Sequence, residues 1–300
     1  MTDRIIDLSE EPARLSVRYA NLLIEREGAE PVTVPLEELA VLVVSHPQVS
    51  LTHAVLAGLA TSGGVFVTCD DKHLPAGMLL PLNAHFTQAE RFEQQASAPL
   101  PTRKRLWQEI IRAKLRAQAN LLCELRGEDK GIAALVSRVK SGDPDNIEAE
   151  ASRRYWPALF TGGYFRRDRF GLPPNQLLNY GYAVLRAVVA RAICAAGLHP
   201  SLGLHHHNRY DAFRLADDLM EPFRPLVDRA VVNLTRWRGL NAPLDRETKA
   251  EILTALSGRL LLSGEWRTLF DVASRTASTL AAVFAGEKRE LPFPEMTREL

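Results

Sequence analysis

Residues 199–228 read HPSLGLHHHNRYDAFRLADDLMEPFRPLVD. Three consecutive histidines, His205, His206 and His207, stand in a loop that carries a glycine. The segment that follows repeats apolar residues at Leu215, Leu219, Phe223, Leu226, Ala230 and Leu234, the spacing of an amphipathic helix. At about 100° per residue, Asp217, Asp218 and Glu221 fall together on the opposite, polar side. Pro222 and Pro225 are expected to kink this helix. Asp218 and Glu221 are three residues apart and can point at one ion. Imidazole with carboxylates and no thiolate suits Mg²⁺ or Mn²⁺, the latter accepting the nitrogen more readily. Taken singly, each feature also reads as an exposed polar face or a solvated loop.

Upstream, the apolar spacing continues through Asn175–Ala196, closed by Gly197, and through a helix opening near Asp145 with Ile147, Ala151, Tyr155 and Leu159 inward. Glu148 lies in its first turn. Asp145 and Glu148 have the spacing of a capping box, which leaves Glu148 either a cap or a ligand. The loop 160–170 interleaves aromatic residues with Arg166, Arg167 and Arg169, a composition able to hold phosphates and stack on bases. It reads equally well as a surface loop anchored by its aromatics. Trp107, Ile110, Ile111, Leu115, Ala119 and Leu122 mark an earlier helix, and helices are expected over 246–262 and 266–284. Residues 106–300 thus read as an all-α catalytic domain.

Residues 1–90 differ in pattern. Alternation near Leu15–Tyr19, the segment Asn21–Glu25, the stretch Pro31–Val34 and the apolar runs Ala40–Val44 and Val65–Thr68 predict strands. One helix is expected over Leu51–Thr61 and a last strand near Ala76–Leu80. Asp70-Asp71-Lys72-His73 reads as a turn. Two prolines and several small residues predict a linker over 91–105. The fold class expected is α+β, a small β-rich domain followed by a larger all-α one.

Composition narrows the function classes. The net charge of +1 conceals five Lys/Arg against eleven Asp/Glu in residues 1–85, and 32 against 25 in the remainder. The basic larger part hints at a polyanionic partner. Three scattered cysteines, with no C-x-x-C pair, argue against a disulfide framework or thiolate zinc site. No signal peptide or membrane span is apparent, and a cytoplasmic protein is expected.

Four motifs in order carry a resemblance: NIEAEASRRYW (146–156), LLNYGYAVL (177–185), GLHPSLGLHHHNRY (197–210) and ADDLMEPFRPLVD (216–228), with PLEEL (35–39) and CDDKHLP (69–75) in support. Together they resemble CRISPR-associated protein one, the integrase of the adaptation module, in its type II form. The resemblance implies a metal-dependent endonuclease and integrase that joins the 3′ ends of short DNA fragments into the repeat array by transesterification. It implies Glu148, His206 and Glu221 as catalytic metal ligands, with Asp218 a possible fourth. Tyr155, seven positions on, selects Glu148 over Glu150. Counting from Gly203 selects His206, with His205 and His207 left open. The family implies an N-terminal dimerisation domain, a homodimer, double-stranded DNA, and a larger complex with a dimer of CRISPR-associated protein two. Arg153, Arg154, Arg166 and Arg167, near the glutamate in sequence, are the candidate DNA contacts. A general metal-dependent nuclease and a non-catalytic DNA-binding scaffold stand as alternatives.

Overall fold

The protein is described by a computed structural model covering residues 3–70, 75–81, 85–161, 165–168, 171–206 and 208–295. The expectations for His207, Arg169 and Asp71-Lys72-His73 lie outside the described residues. The chain is α+β, with strands first and helices after.

The run Leu39–Val44 is buried at every position, as its uninterrupted apolar sequence requires. It forms the centre of a four-stranded sheet ordered Arg4–Leu8, Leu39–Val44, Val65–Cys69, Pro75–Leu79. The first three strands are parallel neighbours and the last is antiparallel. Successive side chains point to opposite faces, and the two faces enter different cores. Val41 and Val43 join the core of the helices. Leu42 and Val44 join a smaller core beneath a second sheet, Val32–Pro35, Asn21–Glu25, Arg14–Arg18 and Ser50–Leu51. The strands Arg4–Leu8 and Ser50–Leu51 were not expected; the first is polar at Arg4 and Asp7 and the second is only two residues long. The helix His53–Thr61 covers this smaller core through Val55 and Leu59.

The expected linker at 91–105 is helical. One helix, Gln88–Ala96, ends there, and the long helix Leu100–Arg126 begins. Pro99 caps the long helix and Pro101 sits in its first turn, where a missing N–H costs nothing because that turn has no partner for it. The prolines therefore mark a helix start. The sequence unit 106–300 is also not wholly α. Arg259–Leu262 and Glu265–Thr268 pair as a hairpin where helix was expected. Its two-residue turn, Ser263-Gly264, has both φ angles positive, 53° and 82°, the geometry that matches strand twist. The cue was a Ser-Gly pair in place of the commoner Asn-Gly.

Among the described residues, Asn175–Ala195 is long and apolar enough to cross a membrane, but most of it is buried in the protein. It is the central helix. Sheet strand Leu39–Val44, the carboxylate helices and the final helix Leu269–Phe284 all pack on it. Gly181 allows the closest of these approaches: an added Cβ would lie 2.4 Å from Val227 Cγ1. Polar ties fasten the small unit to the large one. Tyr180 donates to Asp7 at 2.6 Å, and buried Lys249 reaches Glu10 at 2.7 Å.

The segment 214–238 is where expectation and structure differ most. It is three pieces: Arg214–Met220, a 3-10 turn Glu221–Phe223, and Arg224–Arg238. Pro222 and Pro225 each remove a donor, so the helix breaks and restarts. Asp217, Asp218 and Glu221 do not form an exposed face. They are 8%, 0% and 3% exposed.

A candidate metal and DNA site at the carboxylate turn

The site begins with how Glu148 is released from capping. Asn146 occupies the cap position of the helix Ile147–Leu159 with φ 51°. The orphan amides of Ile147 and Glu148 are satisfied by Asp143, whose carboxylate accepts both at 2.9 and 3.0 Å. Asp145 instead pairs with Lys140. The capping-box alternative therefore does not hold, and the Glu148 carboxylate turns across to the long helix.

There it meets Lys114. The lysine ammonium lies 2.5 Å from Glu148 Oε1 and 2.6 Å from Glu221 Oε2. Glu221 Oε1 is held by Arg224 at 3.0 Å. Lys114 is buried, its side chain 9% exposed, while Glu148 at 28% opens the cluster to solvent on one side. Burial alone would push the Lys114 ammonium down, but Glu221 and Glu148 outweigh it and hold its pKa above the ordinary value. Burial likewise works against the Glu221 anion, and Arg224, Lys114 and His206 together hold its pKa below the ordinary carboxylate range.

His206 approaches from the loop. Its Nδ1 lies 2.5 Å from Asp218 Oδ1. Asp218, fully buried, also accepts the backbone N–H groups of Leu204 at 2.6 Å, His205 at 3.1 Å and His206 at 3.3 Å. One carboxylate thus fixes both the loop backbone and the ring. The hydrogen bond of the ring to Asp218 raises the His206 pKa against the effect of burial, with the charges of Asp218 and Glu221 adding to it. Gly203 makes the loop's approach possible: a Cβ there would stand 2.8 Å from Arg214 Cβ and 3.0 Å from Asp218 Oδ2. Trp107, on the long helix, stacks on His205 at 4.2 Å and meets His206 edge-on at 5.6 Å.

The residues singled out in the sequence divide as follows. Glu148 and Glu221 share one cation, and His206 lies close enough to feel the Glu221 charge. Asp218 faces the histidine loop with both oxygens engaged. Asp217 points elsewhere, to Arg186 at 2.6 and 2.8 Å. Arg153 and Arg166 are exposed. Arg154 is tied to Glu150 at 2.5 Å, and Arg167 is drawn inward onto Asn175 and Asn179 at 3.0 and 2.6 Å. Sequence reasoning passed over Lys114, Arg224 and Trp107. Lys114 had a signal: it falls seven residues after Trp107 and four after Ile110, a charge on an apolar stripe.

Behind this cluster lies a second one. Asp228 accepts from the hydroxyls of Tyr155, at 2.7 Å, and Tyr182. It ties three helices together. Burial pushes the Asp228 carboxyl up to about 6, although both tyrosines and the nearby arginines favour the anion.

A divalent cation fits the chemistry of this place in part. Two carboxylates converge on one cation position, and the His206 imidazole is near enough for its charge to act on Glu221. Glu221 Oε2 is buried and gains no well-directed hydrogen bond, although Lys114 Nζ is within ion-pair distance. Among the described residues, no three His, Cys, Asp or Glu side chains are gathered as a ready metal cluster. Lys114 stands between two of the three.

Comparison with known proteins identifies the family and the fold. The family model "CRISPR associated protein Cas1" matches residues 7–266. The CRISPR-associated endonuclease Cas1 of Neisseria meningitidis serogroup C is 36% identical over 293 residues, covering 96% of this chain and 95% of that protein. Among solved structures, a casposase bound to its integration product superposes with a TM-score of 0.76 at 20% identity, over 96% of this chain and 92% of that one. A Cas6-RT-Cas1–Cas2 complex gives a TM-score of 0.76 at 16% identity, over 97% of this chain and 36% of the matched one. Sequence and fold place this chain in the Cas1 family.

Proposed function

We propose that this protein is a metal-dependent DNA endonuclease and integrase of CRISPR adaptation, which joins the 3′ ends of short DNA fragments into a repeat array by transesterification. The observation that carries the reading is the convergence of Glu148 and Glu221 on one buried cation position, with His206, held by Asp218, near enough for its charge to act on Glu221. The Neisseria relative is named an endonuclease, and the casposase superposed on this chain holds an integration product.

In this reading Glu148, His206 and Glu221 hold Mg²⁺ or Mn²⁺. When bound there, such an ion would supply positive charge to the oxygens of the phosphodiester under attack. The protein's own groups prepare the place. Arg224 and Lys114 keep Glu221 ionised within the apolar core. Asp218 can only accept when ionised, so it draws the Nδ1 proton of His206 and leaves Nε2 as the ring's lone-pair nitrogen. That nitrogen can bind the ion or take the proton of an attacking 3′-hydroxyl. Asp218, with its oxygens engaged by the loop, serves as a positioning residue in place of a fourth ligand.

Arg153 and Arg166, exposed near the Glu148 helix, are the proposed phosphate contacts; Arg154 and Arg167 have structural roles. The proposed partners are double-stranded DNA, a second copy docked through residues 1–90, and a Cas2 dimer, the last supported by the superposed Cas1–Cas2 complex. The proposed compartment is the cytoplasm, where such DNA lies.

The test is strand exchange on branched half-site DNA with Mn²⁺. Wild type is expected to resolve the branch and rejoin the repeat strand, and Glu148→Ala, His206→Ala and Glu221→Ala are expected to lose this with fold retained. Cleavage without rejoining would point to a general nuclease. DNA binding indifferent to metal, with no product, would point to a scaffold. Full activity in all three variants would refute the site.

A further inference from the structure

We propose that Lys114 is the resident counter-ion of the Glu148–Glu221 pair and that a divalent ion enters by taking its place at Glu221. The inference rests on the metal-binding reading given above. Three observations lead to it. First, the ammonium occupies the gap between the two carboxylates, 2.5 and 2.6 Å from one oxygen of each. A divalent ion held by these two carboxylates would compete with Nζ for the same gap.

Second, both oxygens of Glu221 face cations, Lys114 on Oε2 and Arg224 on Oε1. Glu221 can ligate only if one of them gives way. Lys114 is the weaker hold. It makes a directed hydrogen bond to Glu148 but none to Glu221, whose Oε2 is left buried without one. Its flexible four-carbon stem also moves more readily than a planar guanidinium. Arg224 is fixed further by lying over the Tyr182 ring, 4.8 Å from its centroid.

Third, the lysine has no evident packing reason to be there. It projects from a mostly apolar stripe of the helix Leu100–Arg126, between Ile111 and Leu115, where buried Gln118 is the other polar residue and Lys114 the charged one. An apolar residue would suit that stripe better if the carboxylates required no partner. Two carboxylates desolvated side by side do require one. Lys114 therefore keeps the empty site folded, at the cost of opposing the ion. Metal affinity is set by the difference between the two cations, and an incoming phosphate can help by drawing the released ammonium toward itself.

The experiment is calorimetric titration of Mn²⁺ into the full-length protein without DNA, using wild type, Lys114→Met and Glu148→Gln. Lys114→Met is expected to bind Mn²⁺ at least about tenfold more tightly, the ratio that one close charge pair corresponds to. Its melting temperature should be lower than that of wild type without the ion and should rise more when the ion is added. Glu148→Gln is expected to bind weakly or not at all. If wild type binds, Glu148→Gln does not, and Lys114→Met binds equally or more weakly, the displacement idea is overturned while the metal reading stands. If no variant binds, or Glu148→Gln binds as wild type does, both fall. Should Lys114→Met fail to fold, the ammonium NMR signals of ¹⁵N-lysine-labelled wild type decide the matter. The chain has only seven lysines, and the Lys114 signal, assigned with Lys114→Arg, must move on saturation with Mg²⁺. An unmoved Lys114 signal overturns the proposal.

Discussion

Glu221 and Asp228 lie seven residues apart on one broken helical segment, 3% and 1% exposed. Both are buried, yet their charge states are set in opposite directions. Glu221 faces Lys114 and Arg224, and its carboxyl is held below the usual range. Asp228 faces two tyrosine hydroxyls, and burial drives its carboxyl up to about 6. Hydroxyl donors direct a carboxylate well but carry no net charge to offset its desolvation, whereas cations at contact distance do. Glu221 is thereby kept an anion, as the proposed metal site requires. Asp228 serves as a tie between Ile147–Leu159, Asn175–Ala195 and Arg224–Arg238.

This contrast can be broken most directly at Glu221. Glu221→Gln is expected to lower strand joining by more than about 100-fold, beyond the range typical of outer-sphere changes. Asp228→Asn should retain joining to within about tenfold. Equal losses in the two variants, with melting curves like wild type, would mean that Asp228 belongs to the chemistry.

Asp218 sharpens the comparison, since it is a buried carboxylate that acts through a histidine. Asp218→Asn is expected to cost about 10- to 100-fold in joining. The His206 ring, now held above 6.5 by Asp218, should titrate closer to that value in the variant, as read by NMR of the ring protons. In wild type the raised pKa makes His206 a stabilising contributor at full strength below 6.5, lost as pH rises through the raised value.

Asp228 should affect stability more than rate. Asp228→Ala leaves two buried hydroxyls without their acceptor and is expected to cost about 2–4 kcal/mol in denaturant unfolding. The pH signature is separate. A folded pKa of about 6 against an ordinary 3.8 means the native state takes up the proton first. The Asp228 contribution therefore improves as pH falls from above 6 to near 4. Wild type should gain on Asp228→Asn across that window, and a flat difference would contradict the burial argument.

The smallest effects belong outside both clusters. Arg153→Ala or Arg166→Ala should weaken DNA binding for all sequences alike and lower the salt slope of binding by about one each. Neither should move metal affinity.

Much of this was readable from residues alone. The uninterrupted apolar run at 39–44 announced a strand buried on both faces, because a strand with one wet face would alternate. Apolar spacing located the long helices. The family resemblance, through the motif tyrosine Tyr155, singled out Glu148. Periodicity reports only how apolar one side of an element is, and here it misled in two places. It put the 217–221 carboxylates on a polar surface, although cations and amides from other segments let the fold bury them. It also read helix at 259–262 and from 266 on, either side of a Ser-Gly turn where the chain instead reverses as a hairpin.

The sequence by itself determined the kinds of elements, their order and the donor atoms available, since these depend on local spacing and residue chemistry. Only the tertiary structure decided which donors meet. The joining of Lys114 to Glu148 and Glu221, the pairing of Asp218 with His206, and the proton held near Asp228 depend on contacts between distant segments. Desolvation and Coulomb forces act through space, with no regard for position along the chain.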